Sequence, residues 1–197
     1  MSLARETKNM PFECEQRPEW IFGYGSLMWR PGFPFVEQQT ATLQGYHRAF
    51  CIQSHHYRGT PEYPGLVLGL DRGGSCTGTA FRVTDQDWDN VVAYLNEREL
   101  IGYAYEPRVL PIILDERSVP AYTFVADSDH EHYAGNQGLE KSAEIIMGAS
   151  GIMGRNCDYL INTIHELETR GYQDQGHHEL LDRVRYLTGL SNQPDGI

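Results

Sequence analysis

Two stretches of this 197-residue chain put chemically useful groups at useful spacing. The segment from Trp20 to Trp29 reads Trp-Ile-Phe-Gly-Tyr-Gly-Ser-Leu-Met-Trp, an apolar, β-prone entry into a turn flanked by Gly23 and Gly25. Glycine takes positive φ without a Cβ penalty, so the chain can curl here, project Tyr24 and Ser26, and aim several backbone N–H groups at one small anion. A hairpin turn at the end of a buried strand is the plainer alternative, and the local residues leave both open. Two other chemistries are disfavoured by the residues from Met28 onward. A dinucleotide fingerprint needs a third glycine where Met28 stands and a helix opening at once, which Pro31 and Pro34 oppose. A serine nucleophile elbow also needs glycine at the Met28 position.

The second stretch runs from Tyr94 to Tyr103 and carries Glu97, Arg98 and Glu99. On a helix, residues two apart point in different directions, so one carboxylate can be solvated while the other faces a cleft. An ordinary charged helix end, stopped at Gly102, fits the same residues. A third stretch, from Gly45 to Cys51 and on to Pro61, sets His47, Arg48, His55, His56 and Arg58 among apolar residues. These can line a cleft or edge a strand. His55 and His56 are adjacent, as are His177 and His178, which is poor spacing for one metal ion.

These segments need a scaffold, and the chain divides into strands first and helices last. Strands are predicted at 19–25, 40–54, 65–71, 76–83, 105–114 and 119–126, separated by Gly and Pro punctuation. The fourth alternates Thr77, Thr79, Phe81 and Val83 with Cys76, Gly78, Ala80 and Arg82, as a half-buried strand does. Thr84 followed by Asp87 offers a cap to a helix over about 85–98, whose Trp88, Val91, Val92 and Leu95 recur at helical spacing. Further helices are predicted over 139–147, about 156–170 with Gly171 as terminator, and from Asp174 or Gln175 onward. The order predicts one α+β domain over 18–190: a compact mixed or antiparallel sheet, or small β-barrel, flanked by helices, with a helical C-terminal third. Residues 1–17 are polar and unpatterned, and a flexible segment is expected there.

Composition narrows the partners. A net charge of −11, with only 16 Lys and Arg spread along the chain, argues against binding nucleic acid or anionic membrane and for a small-molecule substrate. No apolar run approaches the roughly 20 residues of a membrane span, and the N-terminus lacks a secretion pattern, so a cytoplasmic location is expected. Cys14, Cys51, Cys76 and Cys157 are dispersed, and reduced thiols are expected.

Together the stretches resemble the ChaC-type γ-glutamylcyclotransferases, whose hallmark is an aromatic-Gly-Tyr-Gly-Ser-Leu loop with a downstream Arg-Glu and Gly-Tyr. Here these are Phe22 to Leu27, Arg98-Glu99 and Gly102-Tyr103. The match continues through Arg58 to Pro61, Pro64-Gly65, Tyr133, Gly151 with Gly154, Asn156 and Tyr159-Leu160, over roughly residues 19–187. The resemblance implies a γ-glutamylcyclotransferase-like fold and a lyase reaction. In that reaction the α-amine of a γ-glutamyl group attacks its own γ-carbonyl, releasing 5-oxoproline and an amine. For this type the usual substrate is glutathione, which leaves as Cys-Gly; other γ-glutamyl amines or amino acids, and a non-catalytic γ-glutamyl binder, are the alternatives. The resemblance implies Glu99 as general acid/base and Gly23, Tyr24, Gly25, Ser26, Leu27 and Met28 as the loop around the γ-glutamyl group. It adds Tyr133 as a substrate contact, and Arg58 and Arg98 as candidates for the glycine carboxylate or for positioning Glu99. No cofactor or metal is expected, since the nucleophile belongs to the substrate. One departure is Leu100-Ile101, where ChaC-type sequences often carry a basic residue and glycine.

Overall fold

The computed structural model describes residues 17–100, 104–172 and 174–189. Gly102, Tyr103 and Ile101 lie outside these, as does the N-terminal segment apart from Arg17. Strand β1 (Trp20–Gly23) is followed by two long strands, β2 (Glu37–Ser54) and β3 (Gly65–Arg82), then helix α1 (Asp85–Leu100) and the hairpin of β4 (Tyr105–Leu114) and β5 (Arg117–Ala126). These five strands close into a barrel in the order β1, β3, β2, β4, β5. Every pairing is antiparallel except the closing one, β1 against β5.

The predicted break between strands at 71 and 76 is absent: β3 runs through as one strand. Gly73 and Gly74, which read as punctuation, both have positive φ and sit opposite Gly45 at φ 83°, where the register shifts between Gln44 and Tyr46. Residues in that left-handed conformation are best glycine, and here they form a bulge that bends the ribbon while the ladder continues on both sides. β2 likewise begins three residues before the predicted start. The half-buried alternation predicted for 76–83 also gives way, because Gly78 to Phe81 are buried on both faces. Ala80 packs in the barrel core with Phe22, Leu43, Leu70 and Ile112. Phe81 joins a second cluster outside it, with Ile21, Trp88, Val91, Leu95 and Phe124. That second cluster is where α1 docks, through the i, i+3, i+7 stripe of Trp88, Val91 and Leu95. The start of α1 is fixed by Thr84, whose Oγ1 accepts the Asp87 N–H at 3.3 Å.

Helices α2 (Leu139–Gly148), α3 (Asn156–Thr169) and α4 (Gln175–Thr188) make up the predicted helical C-terminal third, interrupted by a small ribbon of β6 (Ser150–Gly151) and β7 (Gly154–Arg155). Ala143, Ile146, Leu160, Ile164, Leu181 and Val184 bury into the same core as the barrel strands. Asp174 caps α4 by accepting the His177 N–H at 3.3 Å, and Gly171 and Gly189 end α3 and α4 at positive φ.

What positions the site is the shortness of β1. It pairs with β3 only from Thr79 to Arg82 and with β5 only at Ala121 and Tyr122, so beyond Gly23 no strand lies between β3 and β5. The first half of β3 therefore has an edge inside the molecule, and side chains satisfy it. Asn156, fully buried at the start of α3, accepts the Leu66 N–H at 2.7 Å and donates to the Leu66 carbonyl at 2.8 Å. Two residues on, the Leu68 N–H meets the Tyr159 hydroxyl at 3.4 Å and the Tyr105 hydroxyl donates to the Leu68 carbonyl at 2.5 Å.

Candidate active site

A pocket occupies this seam. It encloses about 370 Å³, open mouth included, and is lined by Tyr24, Gly25, Ser26 and Leu27, with Leu68, Glu99, Tyr105, Phe124 and Tyr159. The loop, three barrel strands (β3, β4 and β5), the end of α1 and α3 thus meet in one place. Four predicted loop residues and Glu99 are brought together.

The loop is built differently from the expected positive-φ curl. Neither Gly23 nor Gly25 has positive φ; Gly25 sits at φ −137°. The chain instead turns through a single 3-10 turn, Ser26–Met28, closed by the Met28 N–H to the Gly25 carbonyl at 2.8 Å and the Arg30 N–H to the Ser26 carbonyl at 2.8 Å. Gly23 is needed for space, since a Cβ there would stand 3.0 Å from the Leu27 Cβ and 3.4 Å from the Phe81 ring. A Cβ on Gly25 would meet nothing within 4 Å. Tyr24 is buried and forms part of the pocket wall. Met28 is buried behind the loop, its Sδ 3.7 Å from Arg48 Nη2, and neither it nor Gly23 lines the pocket.

At the end of α1 the two carboxylates separate as the helical spacing predicts. Glu97 is exposed, while the Glu99 side chain faces the pocket with 18% of its surface accessible. Burial pushes the Glu99 carboxyl above the usual carboxylate range, and the charge of Arg98 opposes that rise. Arg98 Nε lies 3.1 Å from Glu99 Oε1. The rest of its guanidinium is taken up by the loop: Nη2 donates to Ser26 Oγ at 2.8 Å, and Nη1 donates to the Arg30 carbonyl at 2.6 Å and to the Tyr94 hydroxyl at 3.1 Å. Arg98 therefore ties Glu99 to the loop. The phenols of Tyr24 and Tyr105 are held well above their ordinary range, first by burial, and that of Tyr159 is raised for the same reason; the Glu99 charge adds to all three. Raised in this way, the three phenols stay protonated.

Arg58 and Tyr133 stand apart from the lining. Arg58 Nη1 donates to the Met153 carbonyl at 2.7 Å and the Arg155 carbonyl at 3.3 Å, and its guanidinium lies 5.4 Å from the centre of the Tyr159 ring. It supports a wall residue and the β6–β7 ribbon. The Tyr133 hydroxyl donates to Asp71 Oδ1 at 2.8 Å, and its backbone bridges to Ile52. Conversely, Leu68, Tyr105, Phe124 and Tyr159 line the pocket and were not predicted to; Tyr159 belongs to the resemblance but carried no assigned role, and barrel closure with the docking of α3 brings the four together. Among the described residues no group of three or more His, Cys, Asp or Glu is placed to hold a metal ion. His55 instead stacks on His132 with ring centres 4.1 Å apart. Cys51, Cys76 and Cys157 are buried free thiols.

Residues 19–187 match the family described as ChaC-like protein. The chain belongs to the ChaC-like family. Among relatives of this ChaC-like chain, "Glutathione-specific gamma-glutamylcyclotransferase" of Escherichia coli is 40% identical over 93% of this chain and 79% of its own length. "Gamma-glutamylcyclotransferase 2-3" of Arabidopsis thaliana is 34% identical over 89% and 93%, and "Glutathione-specific gamma-glutamylcyclotransferase 1" of Mus musculus 31% over 89% and 82%. The ChaC-like fold is shared with a crystal structure of the glutathione-specific γ-glutamyl cyclotransferase from yeast. It superposes with a TM-score of 0.77 at 20% identity, over 87% of this chain and 97% of that one.

Proposed function

We propose that this chain cyclises the γ-glutamyl group of glutathione, giving 5-oxoproline and Cys-Gly, with Glu99 as general acid/base. The observation that carries the reading is the Glu99 carboxyl facing the backbone of Gly25 to Leu27 across one pocket, with no protein nucleophile required between them. The substrate supplies its own nucleophile. Curling the glutamyl chain so that its amine meets its γ-carbonyl makes the attack intramolecular, which is worth several orders of magnitude in effective concentration.

An α-ammonium group titrates near about 8 and an ordinary Glu near about 4.3, so a carboxylate raised by burial is the better matched acceptor. Glu99 takes one proton from the ammonium. The freed amine forms the ring C–N bond, and the γ-carbonyl electrons move onto oxygen. When they return, the amide C–N bond to the cysteinyl nitrogen breaks as Glu99 gives its proton to that nitrogen; the regenerated carboxylate then takes the second proton from the ring nitrogen, leaving the neutral lactam, and passes it to the released amine, which departs as an ammonium. Loop N–H groups and the Tyr24 phenol stabilise the oxyanion and the α-carboxylate. Ser26, which accepts from Arg98, positions rather than attacks. Arg58 and Tyr133 act behind the wall. The free thiols support a reducing, cytoplasmic setting for this activity.

The test is incubation with glutathione and a panel of γ-glutamyl amino acids and amines, following 5-oxoproline and the released amine by mass spectrometry. Fastest turnover of glutathione is expected. A faster substrate elsewhere in the panel overturns glutathione as the substrate, and binding without release overturns catalysis.

A pH prediction arises from Arg98. Glu99 accepts a proton only when ionised, so turnover falls as pH drops through its raised pKa. The Arg98 charge holds that pKa down; in Arg98→Met the pKa rises further, and the acid limb of the kcat profile should move to higher pH. An unmoved limb, measured over pH 4–9, contradicts Glu99 as the base.

A further inference from the structure

Arg48, on β2, is 7% exposed, and among the described residues it makes no ion pair with a carboxylate. A buried guanidinium is costly unless its N–H groups are bonded, and here the acceptors are backbone carbonyls. Nε donates to the Tyr24 carbonyl at 2.5 Å, and Nη2 donates to the Thr77 carbonyl. The guanidinium also lies 5.7 Å from the centre of the Tyr172 ring. Arg48 itself is absent from the pocket lining and packs against the loop through the Tyr24 carbonyl and Met28 Sδ.

The Tyr24 carbonyl belongs to the peptide whose N–H is that of Gly25. In a trans peptide the C=O and N–H point in opposite directions, and no cis bond occurs among the described residues. Pinning the oxygen toward Arg48 therefore turns the Gly25 N–H the other way. Gly25 lines the pocket, and the space beside its Cα is open. The Tyr24 carbonyl receives Arg48 while the Gly25 carbonyl receives the Met28 N–H, so the peptides on both sides of the Gly25 Cα are fixed by bonds within the protein.

We propose that Arg48 is a positioning residue that holds the Tyr24–Gly25 peptide with its N–H directed at the γ-carbonyl oxygen, making Gly25 a donor to the oxyanion. This rests on the cyclisation reading above. The same cation polarises the peptide from behind, since charge at the carbonyl oxygen strengthens the N–H as a donor. The effect belongs to the transition state, where the oxygen becomes negative, so it falls on kcat rather than KM.

The test compares Arg48→Met and Arg48→Lys with the parent for 5-oxoproline formation. Removing a whole oxyanion donor costs about 10²–10³ in kcat. A misdirected one is expected to cost about 10- to 100-fold in Arg48→Met, with KM within about twofold and the acid limb of Glu99 unmoved. Arg48→Lys keeps a charge without the two-pronged fork and should retain more kcat. A folded Arg48→Met with kcat within twofold of the parent overturns the proposal, as does a raised KM at unchanged kcat. Where Arg48→Met does not fold, the same criteria apply to Arg48→Lys. An activity-independent readout uses glycine-labelled protein, with the Gly25 amide resonance identified by its loss in Gly25→Ala. That resonance should move in Arg48→Lys and again when 5-oxoproline is added to the parent; a stationary resonance in either comparison overturns the proposal. A parent that forms no 5-oxoproline sinks the cyclisation reading alone, and the Gly25 resonance still decides the orientation of the peptide.

Discussion

Glu99→Gln should leave a folded protein whose conversion of glutathione to 5-oxoproline falls by about 10²–10⁴ in kcat, the usual size of a general acid/base contribution. Glutamine matches glutamate in shape, and the bonds from Arg98 to Ser26 Oγ and the Arg30 carbonyl do not involve residue 99, so the tie between α1 and the loop survives. What is lost is the capacity to take a proton. Thermal stability should hold or rise, because burial already disfavours the charged carboxyl and a neutral amide relieves that cost. Initial rates with a thermal melt check both halves. Near-parent turnover would remove Glu99 from the chemistry.

The largest stability effect is expected away from the chemistry, at Asn156. Its buried amide makes a matched pair of hydrogen bonds to the Leu66 backbone, and Asn156→Leu leaves both the N–H and the carbonyl of Leu66 without partners. Each stranded buried group costs about 1–3 kcal/mol, so a loss of about 2–5 kcal/mol is expected. For a domain of this size that is a fall in Tm of roughly 5–20 °C. Leu66 lies two residues before Leu68 in the pocket wall, so activity should decline as well. A melting temperature within 2 °C of the parent would show that the edge is satisfied by other means.

The parts of this molecule readable from sequence are those in which one local periodicity decides. Trp88, Val91 and Leu95 announce α1 and the face it buries, and that helix in turn fixes which of Glu97 and Glu99 faces inward. The loop was readable as a turn, but for the wrong reason: its glycines were expected to supply positive φ, whereas Gly23 is required by the nearness of Leu27 and Phe81. Gly73 and Gly74 misled in the opposite direction. A bulge and a chain break carry the same residues, and only the partner strand distinguishes them. Tyr105 was beyond local reading altogether, and Tyr159, though part of the resemblance, carried no local sign of its place in the wall. They come from different elements and meet at Leu68 only because a four-residue β1 leaves the barrel unstitched there.

That unstitched seam bears on how the protein behaves in a crowded solution. Bare strand edges recruit strands from neighbouring molecules and seed aggregation. The stretch of β3 around Leu66 and Leu68 would be such an edge, and the side chains that fill the role of a sixth strand include the tyrosines that shape the pocket. Catalytic shape and colloidal safety are thus vested in the same residues: drift at Tyr105 or Tyr159 toward a new substrate would also leave the Leu68 backbone unpaired, and any opening of the seam would then offer other copies of the chain an edge to zip onto.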